Sequence, residues 1–175
     1  MSESKPPQVR HPEHVHERHV PFLELLEIQP LDAGHGWAAF ELTIAQKHLR
    51  TLGLLHGGVT ATLLDTALGY AAVTTSPPGH FVVTMQLNMN FIRPGWEGER
   101  LVARGDVIHS GRQTAVARGE IRTGDGVLMA SATATFMYIP QPGDLIPKSD
   151  DPVATSAGHG PTPADTDESE GSAEL

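Results

Sequence analysis

The stretch from residue 57 to 73 (GGVTATLLDTALGYAAV) limits the possible folds more than any other part of this chain. It is apolar or small on nearly every helical face and rich in alanine and leucine. It runs up to a Ser76-Pro77-Pro78-Gly79 break. A helix that is hydrophobic all round is expected to be enclosed rather than to lie on a surface. It is shorter than the roughly 20 apolar residues that span a bilayer, so the enclosure should be protein.

The rest of the chain supplies the enclosure as strands. Residues 35–44 alternate, with Trp37, Ala39, Glu41 and Thr43 opposite Ala38, Phe40, Leu42 and Ile44. In residues 81–92, Met85, Leu87, Met89 and Phe91 alternate with Gln86, Asn88 and Asn90. Residues 99–109, 113–123 and 127–139 continue the pattern, separated by Ser110-Gly111 and by Gly124-Asp125-Gly126, a signal for a tight antiparallel hairpin. The last of these carries Leu128, Ala130, Ala132, Ala134, Phe136 and Tyr138 on one face, small in the middle, where a helix can approach closely. Before residue 35, the apolar residues Phe22, Leu23, Leu25, Leu26 and Ile28 suit either the end of a short helix or the start of a strand. The expectation is an α+β fold, one long helix wrapped by a curved antiparallel sheet of five or six strands.

Between Arg50 and Arg93 the only charged residue is Asp65, on the third turn of the apolar helix. A carboxylate in such surroundings is either satisfied by hydrogen bonds, from hydroxyls such as those of Thr62 or Thr66, or kept for chemistry. His56-Gly57-Gly58 favours chemistry. Glycines at a helix start let a ligand approach the backbone, and the first-turn N–H groups have no helical partners and lie at the positive end of the dipole. Such a site polarises a carbonyl and stabilises the oxyanion formed on attack. Gly57 and Asp65 are eight residues apart, about 12 Å along one helix. Both reach one carbonyl only if the helix meets a second copy of itself, which implies a homodimeric site.

Composition bounds what else the chain can do. Apolar residues make up 39 % of its 175 residues, and the net charge is −9 from 21 acidic and 12 basic residues. Residues 141–175 hold eight of the acids and one base, with nine Pro or Gly, and read as a disordered acidic tail. Residues 1–140 are therefore close to neutral, with no basic footprint for nucleic acid. Cysteine is absent, which excludes disulfides, thiolate catalysis and cysteine-ligated zinc. Residues 1–20 form a polar leader containing His11, His14, His16 and His19; a flexible segment is preferred to a metal site there. With no apolar leader and no membrane-length run, the expected location is the cytoplasm.

The run Leu55-His56-Gly57-Gly58-Val59-Thr60-Ala61-Thr62-Leu63-Leu64-Asp65 resembles the signature of phenylacetate-degradation-type (PaaI-like) hotdog thioesterases, relatives of the 4-hydroxybenzoyl-CoA thioesterases that use a helix carboxylate. The resemblance covers roughly residues 20–140. Residues 84–94 (TMQLNMNFIRP), Gly111-Arg112 and residues 126–130 add weaker matches. It implies a hotdog domain assembled as a homodimer and often a homotetramer, hydrolysing acyl-CoA without a cofactor or metal. The Gly57 N–H then serves the thioester carbonyl. Asp65 of the facing subunit is the nucleophile or the general base, and Thr84 assists beside it. Beside the resemblance, the residues themselves make His56 and Gly58 candidates for substrate binding, with positioning preferred for His56, and Arg93 and Arg112 candidates for the CoA phosphates or plain surface arginines. Members commonly carry Asn or Gln some seven residues before the first glycine; here that position is Arg50, with Gln46 further back. Tyr70, Leu63 and Phe91 are candidates for the acyl pocket or for plain core. A non-catalytic acyl-CoA-binding hotdog protein is the alternative. A hotdog dehydratase fits less well, since its histidine–carboxylate motif is not found.

Overall fold

The computed structural model describes residues 20–140. Residues 1–19 and 141–175 lie outside the described residues, and so do the readings of leader and tail. The elements are α1 (Pro21–Leu25), β1 (Gln29–Gly34), β2 (Trp37–Thr43), 3-10 turns at Gln46–His48 and Thr51–Gly53, α2 (Gly57–Val73), β3 (His80–Phe91), β4 (Arg100–Ser110), β5 (Thr114–Thr123) and β6 (Leu128–Pro140). The strands form one antiparallel sheet in the order β1-β2-β4-β5-β6-β3. Of the apolar patch before residue 35, Phe22, Leu23 and Leu25 lie in the one-turn helix α1, while Leu26 and Ile28 precede the first strand.

One face of α2 lies on the sheet. Leu63, Leu64, Ala67, Leu68, Ala71 and Ala72 are fully buried there against Phe40, Leu101, Ala103, Ala117 and Phe136. The alanines of β6 face this helix as expected, but the tightest approach is made by glycines that the periodicity does not single out. Gly105 and Gly119 stand opposite each other on β4 and β5. A Cβ on Gly105 would lie 2.7 Å from the Ala67 carbonyl oxygen, and one on Gly119 would lie 2.6 Å from the Arg104 carbonyl oxygen and 3.0 Å from Leu68. Any side chain at either position lifts the helix or parts the strands.

Two sequence expectations need correction. The helix is not enclosed on every side: Thr62, Asp65, Thr66, Gly69 and Val73 are left half-buried or exposed within one protomer. The apolar row of β3 is also incompletely covered, with Met85 at 58 % and Phe91 at 59 % exposure. The cause is common to both. Because β3 is an edge strand, its outer side and the adjoining flank of α2 have no neighbour among the described residues.

Candidate active site

Asp65 sits half-buried on the uncovered flank of α2. The hydroxyl of Thr84, on β3, donates to its Oδ1 at 3.0 Å. Neither neighbouring helix hydroxyl satisfies it: Thr62 donates to the Gly58 carbonyl at 2.9 Å and Thr66 to the Thr62 carbonyl at 2.7 Å. Burial pushes the Asp65 carboxyl above its ordinary range, and the Thr84 hydrogen bond opposes that shift. Thr84 is placed by a local irregularity, since the β3–β6 register shifts between Thr84 and Gln86.

The start of α2 is built differently from a plain cap. His56 occupies the N-cap with extended backbone, and its Nδ1 accepts the Gly58 N–H at 2.9 Å. Its own N–H donates to the His48 carbonyl at 2.9 Å, which ties the helix start to the preceding 3-10 turn. Gly58 is thereby occupied. Among the described residues the Gly57 N–H has no acceptor, so it is the donor left available at the positive end of the helix. The Phe91 ring lies 3.5 Å from where a Gly57 Cβ would stand.

Asp65 and Gly57 border different cavities. That of Asp65 is about 410 Å³, between α1, α2 and β3, with Gly69, Tyr70, Val73, Phe22 and Phe136 in its wall. That of Gly57 is about 330 Å³ and includes Arg50, Arg93, Thr60 and Phe91. Arg93 is therefore brought to the helix start, where its Nη1 also donates to the Leu128 carbonyl at 2.6 Å. Arg50, rather than Gln46, borders that cavity. Arg112 stands on the β4–β5 turn at the other end of α2. There the Tyr138 hydroxyl bonds both Thr75 and Ser110 at 2.8 Å, and the Tyr138 N–H reaches Gln113. Leu63 is core, whereas Tyr70 and Phe91 border the two cavities. Sequence reasoning missed Phe22, Gly69 and Phe136 as cavity residues; Gly69, one turn after Asp65, carried the only readable signal.

A larger depression of about 790 Å³ lies on the sheet face turned away from α2. Its walls carry in-strand ion pairs, Arg104 with Asp106 and Arg122 with Glu120, and none of the candidate site residues. No group of three potential metal ligands occurs among the described residues. No helix among them is long and apolar enough to cross a membrane.

Comparison with known proteins bears on this geometry. Residues 52–130 match the family model described as Thioesterase superfamily. The chain is 31 % identical to a single-site variant of the phenylacetic acid degradation protein PaaI from Thermus thermophilus, with a TM-score of 0.63 over 67 % of this chain and 98 % of that one. It belongs to the PaaI-like hotdog thioesterases. Within this family it is 35 % identical over 97 residues to the medium/long-chain acyl-CoA thioesterase YigI of Escherichia coli, covering 48 % of this chain and 62 % of that protein. The match thus spans less than two thirds of YigI. A Streptococcus mutans structure bound to acetyl-CoA is similar at 27 % identity and a TM-score of 0.64, over 73 % of this chain and 97 % of that one.

Proposed function

We propose that this PaaI-like protein hydrolyses an acyl-CoA thioester to free CoA and a carboxylic acid, using Asp65 of one protomer and the Gly57 N–H of its partner. The observation that carries the reading is Asp65 itself. It is the single charged residue between Arg50 and Arg93, half-buried beside an apolar cavity and fixed by Thr84. YigI's name and the acetyl-CoA held by the Streptococcus mutans protein support the substrate class.

The open edge supports the shared site. β1, at the other edge, is short and carries Pro30, Asp32 and a register shift, all features that discourage further pairing. β3 runs for 12 residues without Pro, Asp, Glu, Lys or Arg. Antiparallel pairing of two β3 strands about a twofold axis at Asn88 pairs Asn88 with its own copy and, with the register shift at Met85, sets Thr84 of one protomer opposite Phe91 of the other. Thr84 holds Asp65 and Phe91 flanks Gly57, so this register carries each Asp65 toward the partner's helix start. The homodimer is then the catalytic unit, and a homotetramer is a pair of such units, working in the cytoplasm.

In the reaction, the thioester carbonyl accepts the Gly57 N–H. The negative charge that develops on its oxygen is stabilised by that bond and by the helix dipole. Asp65 either attacks the carbonyl carbon, giving a mixed anhydride that water opens, or takes a proton from the attacking water. In both routes the C–S bond breaks, and CoA leaves as the thiolate that is then protonated. His56, by occupying Gly58, leaves Gly57 as the donor. Arg93, at the same mouth, is placed for a CoA phosphate; Arg112 contributes to one only across the assembly.

The test is thiol release from acyl-CoA esters by wild type and Asp65→Asn; the chain has no cysteine to add background. Loss of about a hundredfold or more in kcat/KM, with fold and assembly intact, is expected. Unchanged turnover would remove Asp65 from the chemistry. If neither protein hydrolyses any ester yet both bind CoA esters, the chain is a binding protein instead.

A further inference from the structure

Gly69 lies four residues beyond Asp65 on the same flank of α2. Glycine inside a helix is destabilising relative to alanine, so its presence calls for a reason. Packing does not supply one. A Cβ at Gly69 would meet only the Phe136 ring, at 3.5 Å, an ordinary contact, whereas at Gly105 and Gly119 it would strike backbone oxygens. Helix α2 can therefore carry a side chain at position 69, and the space that side chain would occupy stands open.

That space belongs to the 410 Å³ cavity. From Asp65 its wall passes Gly69 and Tyr70 to Val73, with Phe22 and Leu23 of α1 across from them. Apart from Tyr70, the polar side chains of the wall gather at the Asp65 end, where the hydroxyls of Thr62 and Thr66 are already committed to helix carbonyls. Tyr70 packs its ring against Phe40, with centroids 4.8 Å apart. From Asp65 to Val73 the helix rises about 12 Å. A fully extended chain advances about 1.2 Å per bond, so the channel takes roughly ten carbons.

We infer that Gly69 is a specificity-determining residue. It keeps open a channel for the acyl chain of a straight, medium-length acyl-CoA, with the carbonyl at Asp65 and the methyl end between Val73 and α1. This rests on the thioesterase reading for the orientation of the ligand, but the channel can be tested without turnover. An apolar cavity of this length favours an extended chain over a short acyl or an aryl group, because each further methylene removes apolar surface from water.

The experiment has two arms. In the first, binding of S-decyl-CoA and S-butyl-CoA, thioethers with no carbonyl to hydrolyse, is measured on the full-length wild-type protein; decyl should bind at least about thirtyfold more tightly. In the second, kcat/KM is measured for decanoyl-, butanoyl- and phenylacetyl-CoA with wild type, Gly69→Ala and Gly69→Leu. Wild type should favour decanoyl, and the decanoyl-to-butanoyl ratio should fall about thirtyfold or more in Gly69→Leu, with Gly69→Ala in between. Melting curves check that each variant is folded. Should Gly69→Leu not fold, the ratio in Gly69→Ala decides. Tighter decyl binding without hydrolysis of any ester supports the channel and removes the thioesterase reading. Equal binding of the two thioethers, a wild-type preference for phenylacetyl, or an unchanged ratio in the folded variants overturns the channel and leaves the assignment of Asp65 standing.

Discussion

The same substitution, glycine to alanine, should have opposite effects at two positions, one in the helix–sheet contact and one on the uncovered flank of α2. At Gly105 the new Cβ would stand 2.7 Å from the Ala67 carbonyl oxygen and 2.8 Å from the Ala67 carbonyl carbon and the Leu68 Cα. These are backbone atoms in the buried middle of α2, so no side chain can rotate away. To restore ordinary contact the helix must lift by more than half an ångström, over a core whose side chains are fully buried. Overpacking of this kind costs about 1–3 kcal/mol. For a domain of this size each kcal/mol corresponds to about 4 °C, so Gly105→Ala should melt about 4–12 °C below wild type. At Gly69 the added Cβ meets only the Phe136 ring, at 3.5 Å. Here the gain in helix propensity prevails, about 1 kcal/mol, and Gly69→Ala should melt about 4 °C higher. Differential scanning calorimetry at matched protein concentration reads both. If Gly105→Ala melts within a degree of wild type, the glycine pair is not the seat of the helix and the account of the fold is wrong at its centre.

Four further outcomes are expected. Burial raises the Asp65 pKa in the folded protein, so the fold holds that proton more tightly than the unfolded chain does, and stability is lost as pH rises through the folded pKa. Asp65→Asn should therefore melt above wild type at neutral pH, and the gap should close at pH values below the ordinary carboxylate range; a gap independent of pH would contradict the shift. Thr84→Val removes the bond that holds the Asp65 pKa down. The acid limb of its kcat/KM profile should move to higher pH, with a loss of about 10–100-fold for a hydrogen bond to a charged group; a limb that stays in place rejects the coupling. Gly57→Pro deletes the one unoccupied N–H at a helix position that accepts proline, after a residue already extended at φ −71° and ψ 130°. It should lower kcat by about 10²–10³ while keeping the fold, and mixing it with Asp65→Asn should restore about a quarter of wild-type activity through hybrid dimers with one intact site. No recovery on mixing, after subunit exchange is verified, argues for a site within one chain. Asn88→Lys puts like charges at the β3 twofold and should yield monomers in sedimentation; an unchanged dimer moves the interface elsewhere.

Most of the elements, and the residue to watch, are legible in the chain before any coordinates. Period-two alternation located five strands to within about two residues, the usual uncertainty of such boundaries. The absence of any polar stripe in residues 57–73 marked α2 as the central helix, because such a segment has no solvent-facing side to offer. Asp65 was legible for the same reason: a single charge in a long uncharged span is conspicuous without coordinates. Gly57 was legible as a helix-start glycine, but that its N–H stays unoccupied depends on the His56 ring turning back to Gly58, and rotamers are not written in spacing.

Contacts between residues far apart in the chain were not legible in that way. Periodicity assigns a residue to a face, but it does not say whether another element covers that face. β3 therefore read as an ordinary half-buried strand until the sheet order put it at an edge. The glycines at 105 and 119 gave no signal, because their role is a distance to the backbone of α2 and not a pattern along their own strands. Arg93 and Arg112 looked equivalent in sequence, yet one lies at the start of α2 and the other beside its end. Gly69 had a local signal, a glycine inside a helix, but its meaning came from α1 and β6, which close around the space it leaves. Local pattern fixes what each segment becomes; the long-range packing of segments fixes which side chains share a cavity.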